Sequence, residues 1–315
     1  MEALMMLLRT TLELGLVNSL VVLALFLSYS MLNICDLSTD GCFTLGATVG
    51  AAVAIAGHPF LSIPAAMAAG MISGFVAAFL QTKMGINSLL AGIIVNTALY
   101  SVNIAAMGGS SLLNLNRTDT VFSRMKTALD GTFLAGGHKL ILGILFAGAV
   151  LVLLSLFLRT RLGLAIRATG DNTDMVKSSS IDPSFTTTVG LCLSGSITAL
   201  SGCLLAQSQK SANIDMGSGI VTVALASLLI GRVLVKRGGI PLKALGAVAG
   251  AILFRLVYTV ALRLNMPAFM LKAVSSVIVI IAISTPYLKE KFPMLKRRLA
   301  ARRESRRTGK GGPDA

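Results

Sequence analysis

The chain has 315 residues, of which 54% are hydrophobic and 13% charged, and its mean hydropathy is +0.80. These values exclude an ordinary water-soluble domain, so most of the chain must contact lipid. The formal net charge of +15 could suggest a nucleic-acid binder. However, the basic residues lie in loops between apolar stretches and in one tail, so no nucleic-acid partner is expected.

Nine apolar stretches are long enough, or nearly so, to cross a lipid bilayer as helices. In chain order they are 13–34, 41–57, 60–81, 87–107, 139–158, 185–206, 219–235, 241–262 and 268–288. The predicted fold is all-α, a polytopic membrane protein of about nine transmembrane helices within a transmembrane domain at 1–288. Residues 289–315 form a basic tail that is too polar to pack and is expected to be disordered in the cytoplasm.

The distribution of basic residues predicts the orientation. If the tail is cytoplasmic, the cytoplasmic segments hold 19 lysines and arginines and the outer segments hold eight. This asymmetry follows the positive-inside rule, although Arg117, Arg124 and Lys126 in the outer loop 109–138 oppose it. We therefore expect a multi-pass protein of the bacterial inner membrane, embedded in the lipid bilayer, with its N-terminus outside.

A faint internal repeat is present at an offset of about 180 residues. The segment CDLSTDGCF at 35–43 aligns with IDMGSGIVT at 214–222, which matches Asp36 to Asp215. Small residues at four-residue spacing also correspond: Gly70 and Gly74 in one half, Gly246 and Gly250 in the other. Because the matching spans run in opposite directions, this is an inverted-topology repeat, an arrangement that places substrate paths between the halves of many transporters.

Polar side chains inside spans are costly and are therefore candidate functional residues. The candidates for a translocation path are Asn18, Asp36, Asp40, Asn96, Asn103, Asp215 and Arg255. Two alternatives stay open: that the aspartates at 36 and 40 cap the second helix, and that the asparagines form hydrogen bonds between helices. Arg255 is expected to pair with Asp215, because an unpaired arginine at that depth costs several kcal/mol.

The sequence shows no arrangement typical of an enzyme or a metal site. The cysteines and histidines are Cys35, Cys42, Cys192, Cys203, His58 and His138. The cysteines lie in or beside apolar spans, and the histidines share no ligand spacing, so neither a disulfide nor a metal site is predicted. No catalytic residues are assigned, which disfavours a membrane-embedded enzyme.

The cytoplasmic loop 159–184, RTRLGLAIRATGDNTDMVKSSSIDPS, has an amphipathic helix-turn-helix pattern. Gly170 and Asp171 are predicted to form a turn, and Asn172 to cap a second helix. Asp182 followed by Pro183 predicts the start of the next span. A loop with this much local structure favours docking to a partner.

Residues 160–206 resemble the coupling-loop region of ABC importer permeases of the branched-chain amino acid type, and are most similar to the branch associated with tryptophan and tyrosine uptake. The matching residues are Thr160, Gly163, Arg167, Ala168, Gly170 and Asn172. Ser180 followed by Ile181 departs from the family's Gly-Ile. The segment 15–47 is also similar to the family's first two spans.

The resemblance implies a permease that translocates a small polar nutrient, most simply an amino acid, and that contacts a cytoplasmic ATPase through those six residues. It further implies ATP-binding subunits, an extracytoplasmic substrate-binding protein and a second permease copy, which we expect to form a homodimer. No cofactor is expected on this chain, since ATP and Mg are used by the partner ATPase. The alternative is an ion-coupled secondary transporter in which Asp36, Asp40 or Asp215 binds the ion.

Overall fold

The computed structural model describes residues 2–129, 137–235 and 238–263, together with Ala273, Ser276, Val277 and Ile280. The helices are α1 (Glu2–Leu25), α2 (Thr39–Ile55), α3 (Ser62–Thr82), α4 (Ser88–Ala106), α5 (Val121–Leu129), α6 (His138–Phe157), α7 (Arg161–Asp171), α8 (Thr173–Ser178), α9 (Pro183–Gln209), α10 (Ile220–Leu234) and α11 (Ile240–Arg263). A π-helical segment, Phe26–Met31, extends α1, and a 3-10 turn, Ile214–Gly217, precedes α10. Strands β1 (Leu112–Asn114) and β2 (Ser211–Asn213) pair antiparallel.

Seven helical segments of the described chain are long and apolar enough to cross a membrane. They are Leu7–Met31, Ser62–Thr82, Ser88–Ala106, His138–Phe157, Pro183–Gln209, Ile214–Leu234 and Ile240–Ala261. The predicted second span corresponds to α2, an apolar helix of only 17 residues. The predicted ninth span, 268–288, extends beyond the described residues, and the tail 289–315 lies wholly outside them. The sequence therefore located eight apolar helices, of which seven reach spanning length.

The central helix is α9, which packs against α1, α2 and α3. Its sequence is rich in glycine, alanine, serine and threonine, and helices in lipid associate through close contacts between such small residues. Gly195 faces Gly70 of α3 so closely that a side chain on either glycine would collide with the other backbone. Hydrogen bonds from Ser194 to the carbonyl oxygen of Ala24 (3.0 Å) and from Ser201 to that of Val17 (2.7 Å) fix α1 antiparallel to α9.

The two ends of the bundle are built from different elements. At one end α7 lies against the backbone of Met31, and the Arg232 guanidinium donates a 2.8 Å hydrogen bond to the hydroxyl of Ser30. At the opposite end β1 pairs with β2, next to α5. This arrangement agrees with the predicted placement of loop 159–184 and loop 109–138 on opposite sides of the membrane.

Candidate translocation path and coupling loop

Asp40 joins two helices that lie far apart in sequence. It occupies the first turn of α2, yet its Oδ2 accepts a hydrogen bond from the backbone N–H of Gly219 (3.0 Å) and its Oδ1 accepts one from Val221 (2.9 Å). These donors belong to the N-terminus of α10, where a carboxylate is favourable because helical N–H groups there lack partners. From the first turn of α2, Asp40 therefore caps α10.

The N-terminus of α10 lies near the middle of the bundle. Gly219 and Ile220 line the same cavity as Asn18 and Val21, which lie at the centre of the span Leu7–Met31. Since Asp40 contacts this point, α2 also begins there. Broken helices of this kind expose backbone groups at mid-depth, which is tolerated where they are buried in protein or line a cavity.

The first cavity beside this junction, called the polar cavity below, has a volume of about 360 Å³. Four of the predicted path residues line it, namely Asp40, Asn96, Asn103 and Asp215. Asn103 is also buried and donates a 3.2 Å hydrogen bond to the carbonyl oxygen of Gly41, so it connects α4 to α2 as the alternative for the asparagines predicts. The polar cavity is thus lined by carboxylates and amides contributed by distant parts of the chain.

The second cavity, called the arginine cavity below, lies between α1, α10 and α11 and has a volume of about 190 Å³. It is lined by the two remaining cavity-facing candidates, Asn18 and Arg255. The guanidinium carbon of Arg255 lies 4.9 Å from the ring centroid of Tyr258, and its Nε has no hydrogen-bond partner. Asn18 Oδ1 is likewise buried without a partner in the described chain.

The predicted ion pair between Arg255 and Asp215 is wrong. No salt bridge joins the two residues, although both are described. Asp215 is exposed and lines the polar cavity, whereas Arg255 lines the arginine cavity, and Ser218 forms part of the wall of both. The break between the 3-10 turn and α10 therefore keeps Asp215 and Arg255 apart, although their positions near the ends of neighbouring spans predict that they meet.

Asp36 lies in a different setting from the other candidates. Its side chain is buried, and its Oδ1 accepts hydrogen bonds from the backbone N–H (2.9 Å) and the hydroxyl (2.6 Å) of Ser38. It lines neither cavity. Asp36 therefore shapes the entrance to α2 by holding Ser38, the residue at the N-cap position of this helix.

The loop 159–184 folds into the predicted pair of short helices. Thr160 caps α7 by accepting a hydrogen bond from Gly163 N (3.3 Å), and Asn172 caps α8 by accepting from the backbone N–H groups of Asp174 (3.0 Å) and Met175 (3.1 Å). The predicted turn at Gly170 is wrong, because Gly170 and Asp171 lie within α7 and only Asn172 separates the helices. The caps are local and were readable from sequence, whereas the end of α7 was not.

Gly163 and Gly170 attach α7 to the membrane-spanning bundle. A side chain at Gly163 would overlap the backbone at the end of α6, and one at Gly170 would overlap the carbonyl oxygen of Met31. On the same face Ile166 is fully buried, and the hydroxyls of Thr169 and Thr186 are hydrogen-bonded at 2.8 Å. The loop is therefore held rigidly against the end of the first span.

The loop also carries exposed apolar side chains. Leu162, Leu164 and Met175 are 43%, 53% and 55% exposed, while Arg167 and Ala168 are half-buried. The family-matching residues Thr160, Gly163, Gly170 and Asn172 thus shape and dock the loop. These three exposed apolar residues were not among the predicted site residues.

Ser180 occupies the position where the family has the glycine of its Gly-Ile pair. Its φ is +60°, in the left-handed region that glycine adopts without a steric penalty. The turn that leads into α9 therefore keeps the backbone shape that a glycine would favour. Asp182 then caps α9 as predicted, by accepting a 2.8 Å hydrogen bond from Ser184 N.

A bundle of apolar helices with mid-depth cavities and a structured loop at one end defines a membrane permease. The chain belongs to the family described as branched-chain amino acid transport system permease components, whose profile matches residues 7–283. This confirms the resemblance found from the coupling-loop residues. Family membership and the spanning helices make it a multi-pass protein of the bacterial inner membrane and a transport component.

Two curated proteins show the extent of the similarity. The chain is 30% identical over 272 residues to a tyrosine transport system permease protein of Clostridioides difficile (strain R20291), covering 86% of this chain and 88% of that protein. It is 34% identical over 228 residues to an uncharacterised protein of Rickettsia prowazekii (strain Madrid E), covering 72% of this chain and 78% of that one. No solved structure matches the chain significantly.

Proposed function

We propose that this chain is the permease subunit of an ATP-binding cassette importer that moves an amino acid inward. In this assembly two copies of the chain form the pore, cytoplasmic ATP-binding subunits hydrolyse ATP with Mg, and an extracytoplasmic binding protein delivers the substrate. The family description and the name of the Clostridioides difficile relative support an amino acid as the substrate.

The observation that carries this proposal is the docked pair α7 and α8. It is fixed to the ends of the first and sixth helices through Gly163 and Gly170, and its exposed surface includes Leu162, Leu164 and Met175. Apolar side chains at the centre of a contact are typical anchors in protein interfaces. A rigid element with such a face suits the transmission of ATPase movement to the bundle, because coupling requires that the two parts change state together.

The contacts between helices support the inverted repeat. Helix α3 of the first half packs along α9, the opening helix of the second half, and α11 of the second half packs along α1 of the first. The residues joined at the centre, Asp40 and Gly219, occupy matching positions of the two aligned segments. We infer that the halves are related by pseudo-twofold symmetry and that movement between them opens the path to alternate sides.

The ion-coupled alternative requires a carboxylate that can bind a cation. Both oxygens of Asp40 accept hydrogen bonds from the N-terminus of α10. The Oδ1 of Asp36 accepts two hydrogen bonds from Ser38. Asp215 is exposed at the surface of the polar cavity. The contacts of Asp36 and Asp40 therefore disfavour ion binding at those two carboxylates.

The coupling role can be tested by placing a charge on the exposed face of α7. Leu164→Glu should abolish co-purification with the ATPase subunit, because a carboxylate would be buried without a partner in the contact. Leu112→Glu is the matched control, since Leu112 is also 53% exposed but lies on β1 at the other end of the bundle. Equal ATPase recovery with both variants, each inserted normally, would contradict the coupling assignment.

A further inference from the structure

We propose that the arginine cavity binds the translocated amino acid in the membrane, with Arg255 receiving its carboxylate and Asn18 its ammonium group. This inference rests on the proposed function, since it assigns a binding site to the substrate of that importer. It also selects one of the two cavities beside the junction of α2 and α10 as the place where the substrate is held.

The first argument is the uncompensated charge of Arg255. Among the described residues that line the arginine cavity there is no acidic side chain, and the Nε of Arg255 has no hydrogen-bond partner. A cation inside a membrane-spanning helix is costly unless an anion or a polar partner meets it. The guanidinium group offers parallel donors that match the two oxygens of a carboxylate, so a substrate carboxylate would supply the missing partner.

The second argument is that Arg255 is held in place before any ligand arrives. Its guanidinium lies over the ring of Tyr258, three residues along α11, with 4.9 Å between the guanidinium carbon and the ring centroid. Stacking on an aromatic face stabilises a cation and limits the orientations of the side chain. Donors fixed in this way lose less conformational entropy when the ligand binds.

The other residues that line the arginine cavity indicate the chemistry of the rest of the ligand. The buried Oδ1 of Asn18 is an acceptor without a donor, which suits the N–H groups of an ammonium. Most other lining side chains are apolar, among them Val21, Val22, Val223 and Phe254. The cavity therefore fits a zwitterionic amino acid whose side chain is apolar or aromatic.

The polar cavity is the poorer site for a carboxylate. It is lined by Asp40 and Asp215, whose negative charges would repel a carboxylate. The chain also has a second arginine over a tyrosine, Arg232, with 5.6 Å to the ring of Tyr29. Arg232 differs from Arg255 because it lies outside the arginine cavity and is already hydrogen-bonded to Ser30.

The test is equilibrium binding to the full chain in lipid nanodiscs, without ATPase or binding protein. The probes are radiolabelled L-tyrosine and L-leucine, each competed with its unlabelled acid or with its amide, which lacks the carboxylate. We expect at least one of the two acids to bind and its amide to compete about 10- to 100-fold more weakly, which is the usual loss when a charged hydrogen bond is removed. Arg255→Gln should weaken binding of the acid by a similar factor, and Arg255→Lys should weaken it by less.

Arg232→Gln is the matched control and should bind the acid as the wild type does. Failure of the wild type to bind either acid, equal competition by acid and amide, or unchanged binding by folded Arg255→Gln would each overturn the proposal. The comparison of acid with amide needs no variant, so it decides the question even if Arg255→Gln does not fold. Because no ATPase is present, this result is independent of the coupling test with Leu164→Glu.

Discussion

Replacing Gly170 by alanine is expected to loosen the contact between the coupling loop and the bundle. The added Cβ would overlap the carbonyl oxygen of Met31 and would lie 2.8 Å from the Met31 carbonyl carbon and 2.9 Å from that of Leu32. Carbon atoms in contact normally lie about 3.5–4.0 Å apart. All three neighbours are backbone atoms, so α7 must retreat by roughly 1 Å or the end of the first span must bend.

The size of the effect follows from a comparison with Gly148. Both glycines are helical, so alanine gains about 1 kcal/mol of helix propensity at either position. At Gly148 the added Cβ meets no atom of the described chain within 4 Å, so only the gain remains. At Gly170 overpacking costs about 1–3 kcal/mol, and the two variants should therefore differ in stability by about that amount.

The assay is reversible unfolding of the purified chain, together with ATP hydrolysis by the assembled complex. Gly170→Ala should be less stable than Gly148→Ala and should reduce the ATP hydrolysis stimulated by loaded binding protein, since the loop would no longer be held rigidly. If the two variants unfold alike and hydrolyse ATP alike, then α7 is not docked through Gly170 and the reasoning fails.

Three further substitutions can be measured in the same unfolding assay. Asp40→Ala should cost about 1–2 kcal/mol because it removes the cap of α10, whereas the exposed Asp215→Ala should change little; equal losses would contradict the cap. Ser180→Gly should gain about 1 kcal/mol by relieving the positive φ, while Ser179→Gly, where φ is −89°, should gain nothing. Gln207→Leu should cost about 1–3 kcal/mol because it leaves the buried backbone N–H of Val121 without its acceptor, and wild-type stability would rule out that hydrogen bond.

The local features of the fold were predictable from sequence. Spans were visible because lipid requires long apolar helices, and Asn172 and Asp182 were recognisable as caps because a cap depends on only a few neighbouring residues. Six of the seven path candidates line the two cavities, since polar residues inside spans are rarely placed without a role. Asp36 is the exception.

Features that depend on contacts between distant segments were not predictable. The cap from Asp40 to Gly219 joins residues 179 positions apart, and nothing in either segment alone reveals it. The sequence predicts a turn at Gly170, because glycine favours turns and close packing equally and the neighbour that it packs against, Met31, is distant in sequence. The pairing of Arg255 with Asp215 failed for the same reason, since the wall between the cavities is a product of the tertiary fold.

The energy source of transport tests the central claim most directly. Proteoliposomes would contain this chain with its ATPase subunit and receive the loaded binding protein outside, and uptake of radiolabelled amino acid would be followed with ATP or with a proton or sodium gradient. The account predicts uptake that requires enclosed ATP and Mg, survives collapse of the ion gradients and is lost with Leu164→Glu. Uptake driven by an ion gradient without ATP would contradict it.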